Sequence, residues 1–318
     1  MSSDYRPVLL DEQLRAALKR AAEISAGLGS PEPGVEGLRR VTELARKHWN
    51  EGGPEMHKRS ADIPGPHRNI PVVVYRPREV TQLQPVFVYW HGGGFKLGTQ
   101  WSNDRQMREL AAAWGAVVIS ADYAHAPESV FPKAVEEAAA VLRWLHDHGP
   151  EWGIDGQKIA FGGNSAGASV AFGAALDLGA ASWLRAAVSI VGAFSGDPDM
   201  MSMQEYGDTG LFPSAAAISP MFDDYLRDAD RDDPRINLLH ADVSGFPPTF
   251  IAAAEFDVLR DASVLMAQRL ASAGRLREIK IYPGMAHLFF GFSREVAQSA
   301  ACVHDIANFL SAEVPAPY

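Results

Sequence analysis

Ser165 lies in Gly163-Asn164-Ser165-Ala166-Gly167, a G-x-S-x-G pattern. A serine hydroxyl is a poor nucleophile until a base takes its proton and an acid orients that base. G-x-S-x-G arises by chance in roughly one chain in ten of this length, so the pattern needs partners. Residues 158–161 before it are strand-like, and residues 166–172 after it read as a helix. That is the strand, sharp turn and helix an exposed nucleophile requires. Three histidines follow the serine: His240, His287 and His304. His287 follows the strand pattern 278–282 through Pro283-Gly284-Met285-Ala286. It is therefore expected at a strand's carboxyl end, where doubly wound sheets put their chemistry. His240 falls at the edge of an irregular stretch, and His304 within a C-terminal helical pattern beside Val303 and Ile306. Asp257 follows the strand pattern 249–253 as His287 follows its own. Glu255 is a rival for the acid, and Asp261 reads as a carboxylate favoured by a helix dipole. The expected chemistry is acyl transfer through Ser165, His287 and Asp257.

A second motif, His91-Gly92-Gly93-Gly94-Phe95, follows the apolar run 86–90. A glycine run after a buried strand lets backbone N–H groups turn toward one point, where an oxyanion would develop. The expected donors are the N–H groups of Gly93, Gly94 and Ala166. His91 precedes the serine in the chain and is expected to tie its loop to neighbouring backbone.

These residues need a scaffold. Strand patterns fall at 70–75, 86–90, 116–120, 158–161, 186–191, 249–253 and 278–282. Helical patterns fall at 107–114, 134–148, 166–172, 262–271 and 296–309. The alternation predicts a mostly parallel sheet with helices on both faces. Two further helical patterns, 8–26 and 35–49, precede the first strand, and residues 195–240 break the rhythm as an insertion. Both segments are either helical decoration of the core or a roof over the site. Met200, Met201, Met203, Phe212 and Phe222 either line a pocket or pack the insertion on the core.

The chain has 318 residues, 47% hydrophobic, and a net charge of −10. That balance disfavours nucleic acid and anionic membrane surfaces. A single cysteine, Cys302, excludes an intrachain disulfide and a cysteine-based zinc site. Its helical neighbours make it a packed thiol. Residues 1–13 lack the apolar stretch of a signal peptide, and no apolar run is long enough to span a bilayer. A cytoplasmic protein is the expectation. A homodimer is compatible with the sequence but not legible in it.

The chain resembles the bacterial members of the hormone-sensitive-lipase group of α/β-hydrolases. The resemblance covers most of residues 55–318. It rests on HGGGF at 91–95, Asp122-Tyr123 with Ala126-Pro127-Glu128, GNSAG at 163–167, Asp257-Val258-Leu259-Arg260-Asp261, and Tyr282-Pro283-Gly284-Met285 with His287. It implies an α/β-hydrolase fold with a helical cap and carboxylesterase activity. It implies no metal or organic cofactor. The implied division is a cap segment at 1–54, a core at 55–194 and 241–318, and an inserted cap segment at 195–240. Phe95, Leu288 and Phe222 are the expected substrate-binding residues. Three positions depart from the group's pattern: Asn164 replaces an aspartate, Ala124 an arginine and Leu288 a glycine. The first two lose opposite charges, which would offset each other. A roofed site without a basic amphipathic anchor suits small, neutral or apolar esters of short to medium acyl length. An amidase, peptidase or lactonase would use the same residues. A non-catalytic binding protein on this fold could dispense with His287 or Asp257.

Overall fold

The computed structural model describes residues 9–78, 81–179 and 181–317. The start of the segment examined for a signal peptide, residues 1–8, lies outside the described residues. Two helices, α1 (Glu12–Gly27) and α2 (Val35–Asn50), come first. Then follow β1 (His57–Pro64), β2 (Asn69–Arg76), β3 (Gln84–Trp90), α3 (Asp104–Trp114), β4 (Val117–Ala121) and α4 (Lys133–His148). The chain continues through β5 (Ile154–Asn164), α5 (Ala166–Asp177), β6 (Leu184–Ile190), α6 (Met201–Tyr206) and α7 (Ala215–Leu226). It ends with β7 (Thr249–Phe256), α8 (Arg260–Ser272), β8 (Leu276–Ala286) and α9 (Ala297–Glu313).

The eight strands form one sheet in the order β1-β2-β4-β3-β5-β6-β7-β8. β1–β2 and β2–β4 pair antiparallel, and every later pair is parallel. This is the α/β-hydrolase architecture. The central strands are apolar on both sides because both sides are covered. On β3, Val86, Val88 and Trp90 enter one core with α4, α5 and α8, whereas Phe87 and Tyr89 enter the other with α3 and α9.

β1 was not expected. Its sequence, HKRSADIP, is polar, and only Ile63 is buried, because β1 is an edge strand with one ladder partner. The insertion contains two helices, the second carrying Pro220 in its interior. Ile218, Phe222, Tyr225 and Leu226 bury that helix against the α4–α5 core.

α1 and α2 pack on the opposite core through Leu14, Ala17 and Trp49. Asp11 caps α1 by accepting from the N–H groups of Gln13 and Leu14. Arg108 on α3, almost fully buried, donates to the carbonyls of Asn50 (2.8 Å), Gly52 (2.7 Å) and Pro54 (2.7 Å) and to Asp104 Oδ2 (2.9 Å). No helix among the described residues is long and apolar enough to cross a membrane.

Candidate active site

Strand register brings the candidate residues together. In the β7–β8 pair Phe256 lies opposite Ala286, so the next residues, Asp257 and His287, emerge side by side. In the β3–β5 pair Trp90 lies opposite Gly163, so the HGGG loop and the serine turn leave the sheet as neighbours.

Ser165 joins β5 to α5 with φ 54° and ψ −124°. A non-glycine residue in that region is strained. The surroundings hold it there: its N–H donates to Ile190 O (2.9 Å), and its carbonyl accepts from Ala193 N (3.2 Å). The flanking glycines are required by space. A β-carbon on Gly163 would stand 2.5 Å from Trp90 O, and one on Gly167 would stand 2.2 Å from it.

The Ser165 hydroxyl donates to His287 Nε2 at 2.9 Å, and His287 Nδ1–H donates to Asp257 Oδ2 at 2.8 Å. Asp257 Oδ1 accepts from Leu259 N at 3.0 Å. All three side chains are buried, Ser165 being the most open at 7%. His240 and His304 are exposed on the surface. Asp261 lies in the first turn of α8 and accepts from Ser202 N (2.9 Å). Glu255 Oε2 accepts from Gly284 N (2.7 Å) and so braces the segment leading to His287.

Gly93 and Gly94 have φ +139° and +62°. A β-carbon on Gly93 would meet Leu97 O at 2.0 Å. The Gly93 carbonyl is taken by Lys96 N and Leu97 N, whereas the N–H groups of Gly93, Gly94 and Ala166 have no acceptor among the described residues. Asn164 Oδ1 accepts from Gly92 N and from Tyr89 Oη, both at 2.6 Å. Neither link was legible from spacing, although Asn164 stood out as a departure from the group's pattern. Ala124 is buried and uncharged. The nearby cation is Arg39 of α2, which donates to Glu128 and to the carbonyls of Ala126 and Lys96.

α7 lies over the glycine loop. Met221 Sδ would be 3.1 Å from a β-carbon on Gly94. Phe95 is fully buried, stacked on Tyr225 (4.0 Å between centroids) and edge-on to buried Phe222 (5.7 Å). The structure thus puts Phe95 and Phe222 in the packing of the insertion on the core. Leu288 is half-buried beside the α3–α9 core. Met203 is buried, Met200 half-buried, and Met201 and Phe212 are exposed. α6 is fastened beside the acid, with Ser202 Oγ donating to Val258 O (2.8 Å).

Comparison with known proteins agrees with this fold. Residues 87–291 match a family model described as the alpha/beta hydrolase fold. The chain is similar to an acetyl esterase of Salmonella choleraesuis, 34% identical over 294 residues that cover 89% of this chain and 88% of the relative. Among solved structures it is similar to a hyperthermophilic esterase from the archaeon Pyrobaculum calidifontis. That match has a TM-score of 0.86 and 32% identity, covering 95% of this chain and 98% of the other. A thermostable carboxylesterase cloned from a metagenomic library matches with a TM-score of 0.84 and 28% identity, covering 88% and 98% of the two chains.

Proposed function

The chain belongs to the hormone-sensitive-lipase-like group of the α/β-hydrolase family and is a carboxylic ester hydrolase, and from that premise we propose that it cleaves short-to-medium acyl esters through Ser165, His287 and Asp257. The observation that carries this reading is the continuous hydrogen-bonded chain from Asp257 Oδ2 through His287 to Ser165 Oγ.

In this mechanism Ser165 Oγ attacks the ester carbonyl as its proton passes to His287 Nε2. Asp257 keeps the other ring nitrogen protonated and stabilises the imidazolium. The oxygen that gains charge is received by the N–H groups of Gly93, Gly94 and Ala166. Losing one such donor typically costs about 100- to 1,000-fold in rate. His287 returns the proton to the leaving alcohol, whose bond to the acyl carbon breaks. Water then attacks the acyl-serine, giving its proton to His287, and the acid departs as Ser165 is regenerated.

The acyl preference rests on the roof. The proposed cap comprises the segment 1–54 and the insertion 195–240, whose Met221 lies close over Gly94. The acetyl esterases among the relatives support a small acyl group. The deciding experiment uses a phosphonate ester and mass spectrometry. Wild type should be labelled once, at Ser165, and Ser165→Ala should fold normally, escape labelling and lose about a million-fold in kcat. Labelling at another serine, or turnover retained by the variant, would refute the assignment.

A further inference from the structure

We propose that His91 Nε2, Asp122 Oδ1 and His125 Nε2 form a binding site for a divalent transition metal of the zinc type, seated behind the glycine loop. The three donor atoms lie within 4.8 Å of one another. None of the three residues takes part in the ester chemistry above, and the proposal stands apart from it.

The donor atoms converge on one place. His91 Nδ1 is 2.9 Å from Gly92 O. A carbonyl only accepts, so that nitrogen carries the hydrogen. The other ring nitrogen, Nε2, faces Asp122 Oδ1, 3.2 Å away. His125 Nε2 stands 3.5 Å from the same oxygen and has no hydrogen-bond partner among the described residues. Two imidazole nitrogens facing one carboxylate oxygen is an arrangement that a bound cation satisfies.

The spacing fits a tetrahedral ion. Ligands bound at about 2.0–2.1 Å in that geometry stand about 3.3 Å apart. The two histidine–carboxylate edges are 3.2 and 3.5 Å, and the third edge, between the two imidazole nitrogens, is within 4.8 Å. Two histidines and a carboxylate suit zinc or a similar metal, whereas calcium and magnesium prefer all-oxygen sets. The supporting contacts are also those of a metal site. The far nitrogen of His91 donates to a backbone carbonyl, and the far oxygen of Asp122 is held by Arg68 Nη1 at 3.3 Å. Arg68 is itself shared with Glu137, which tempers its charge. His91 is fully buried, whereas the side chains of Asp122 and His125 keep 12% and 13% exposure, so an ion enters past them.

Occupancy would reach the glycine loop. His91 immediately precedes Gly92, its ring stacks on Tyr123 (4.7 Å), and its carbonyl accepts from Tyr123 Oη (3.2 Å). An ion would tie the loop to residues 122–125 and stiffen both.

The test starts from chelator-treated full-length protein titrated with Zn²⁺ by calorimetry, and with Co²⁺ by visible absorption. Wild type should bind one equivalent with a rise in Tm and tetrahedral Co²⁺ bands. His125→Ala and His125→Gln should keep the metal-free ester turnover, which reports folding, and bind at least about tenfold more weakly. In wild type the ring signals of His91 and His125 should shift together on adding Zn²⁺. Absence of Zn²⁺ binding at micromolar concentrations, unchanged affinity in either variant, or NMR shifts confined to other histidines would overturn the proposal.

Discussion

Asn164 Oδ1 lies 2.6 Å from the backbone nitrogen of Gly92, so the turn bearing Ser165 is fastened to the loop bearing Gly93 and Gly94. The proposed nucleophile and oxyanion donors are thereby held in one frame. Asn164→Ala frees the Gly92 N–H and loosens that frame. We expect a fall of about 100-fold in kcat, the scale of a small misplacement of reacting groups, with KM little changed. Asn164→Asp keeps an acceptor in place and should retain most of the turnover. Steady-state kinetics on an aryl acetate decides this, and wild-type kcat in the alanine variant would show that the loop holds itself.

His287 is the proposed base that takes the serine proton, and substitution tests it. His287→Ala should remove turnover across the whole pH range. His304 is exposed on α9, far from any packed role, so His304→Ala should change neither activity nor stability. Inactivity of a well-folded His304→Ala would reverse the choice of base.

The proposed cap over the site would limit acyl length. Each buried methylene contributes about 0.8 kcal/mol, or about fourfold in kcat/KM, until the pocket is full. Across a series of aryl esters the optimum is expected at butyrate or hexanoate, with decline beyond. An optimum at palmitate, or a jump in rate above the micelle concentration, would indicate an open site that meets lipid surfaces.

Cys302 is fully buried in α9, and burial pushes its thiol up to about 12. At mildly alkaline pH it therefore carries almost no thiolate, the form that reacts. Iodoacetamide should leave it unmodified in the native protein and alkylate it in urea. Rapid native alkylation, read by intact mass, would contradict the packing of α9 on the sheet.

The chemistry was more legible than the roof, for physical reasons. Ser165 and Asp257 each follow a short apolar run that reads as a buried strand, His287 follows the alternating strand 278–282, and the serine turn needs glycines at fixed places. The three are now seen in contact. β1 escaped because an exposed edge strand has no apolar pattern to declare. α7 escaped because Pro220 interrupts its helical signature and its apolar residues serve the core below. Phe95 and Phe222 were expected to line the pocket; Phe95 stacks on Tyr225 and meets Phe222 edge-on, contacts that no local pattern reveals. Long-range links such as Asn164 to Gly92 and Glu255 to Gly284 depend on strand register, which no local pattern specifies.

Arg108 bears on how this enzyme could be recombined with its relatives. Its guanidinium is spent on three main-chain oxygens in the link between α2 and β1 and on Asp104. Any residues can supply those oxygens, but only if the backbone of 50–54 follows the same path. A chimera that exchanges the N-terminal helices at a junction inside this link would leave Arg108 paired with Asp104 but without its carbonyl acceptors, a fault costing about 1–3 kcal/mol for each buried donor left unsatisfied. The workable crossover lies beyond Pro54, so that the donor helices travel with their own linker, and with a partner for residue 108 that already fits it.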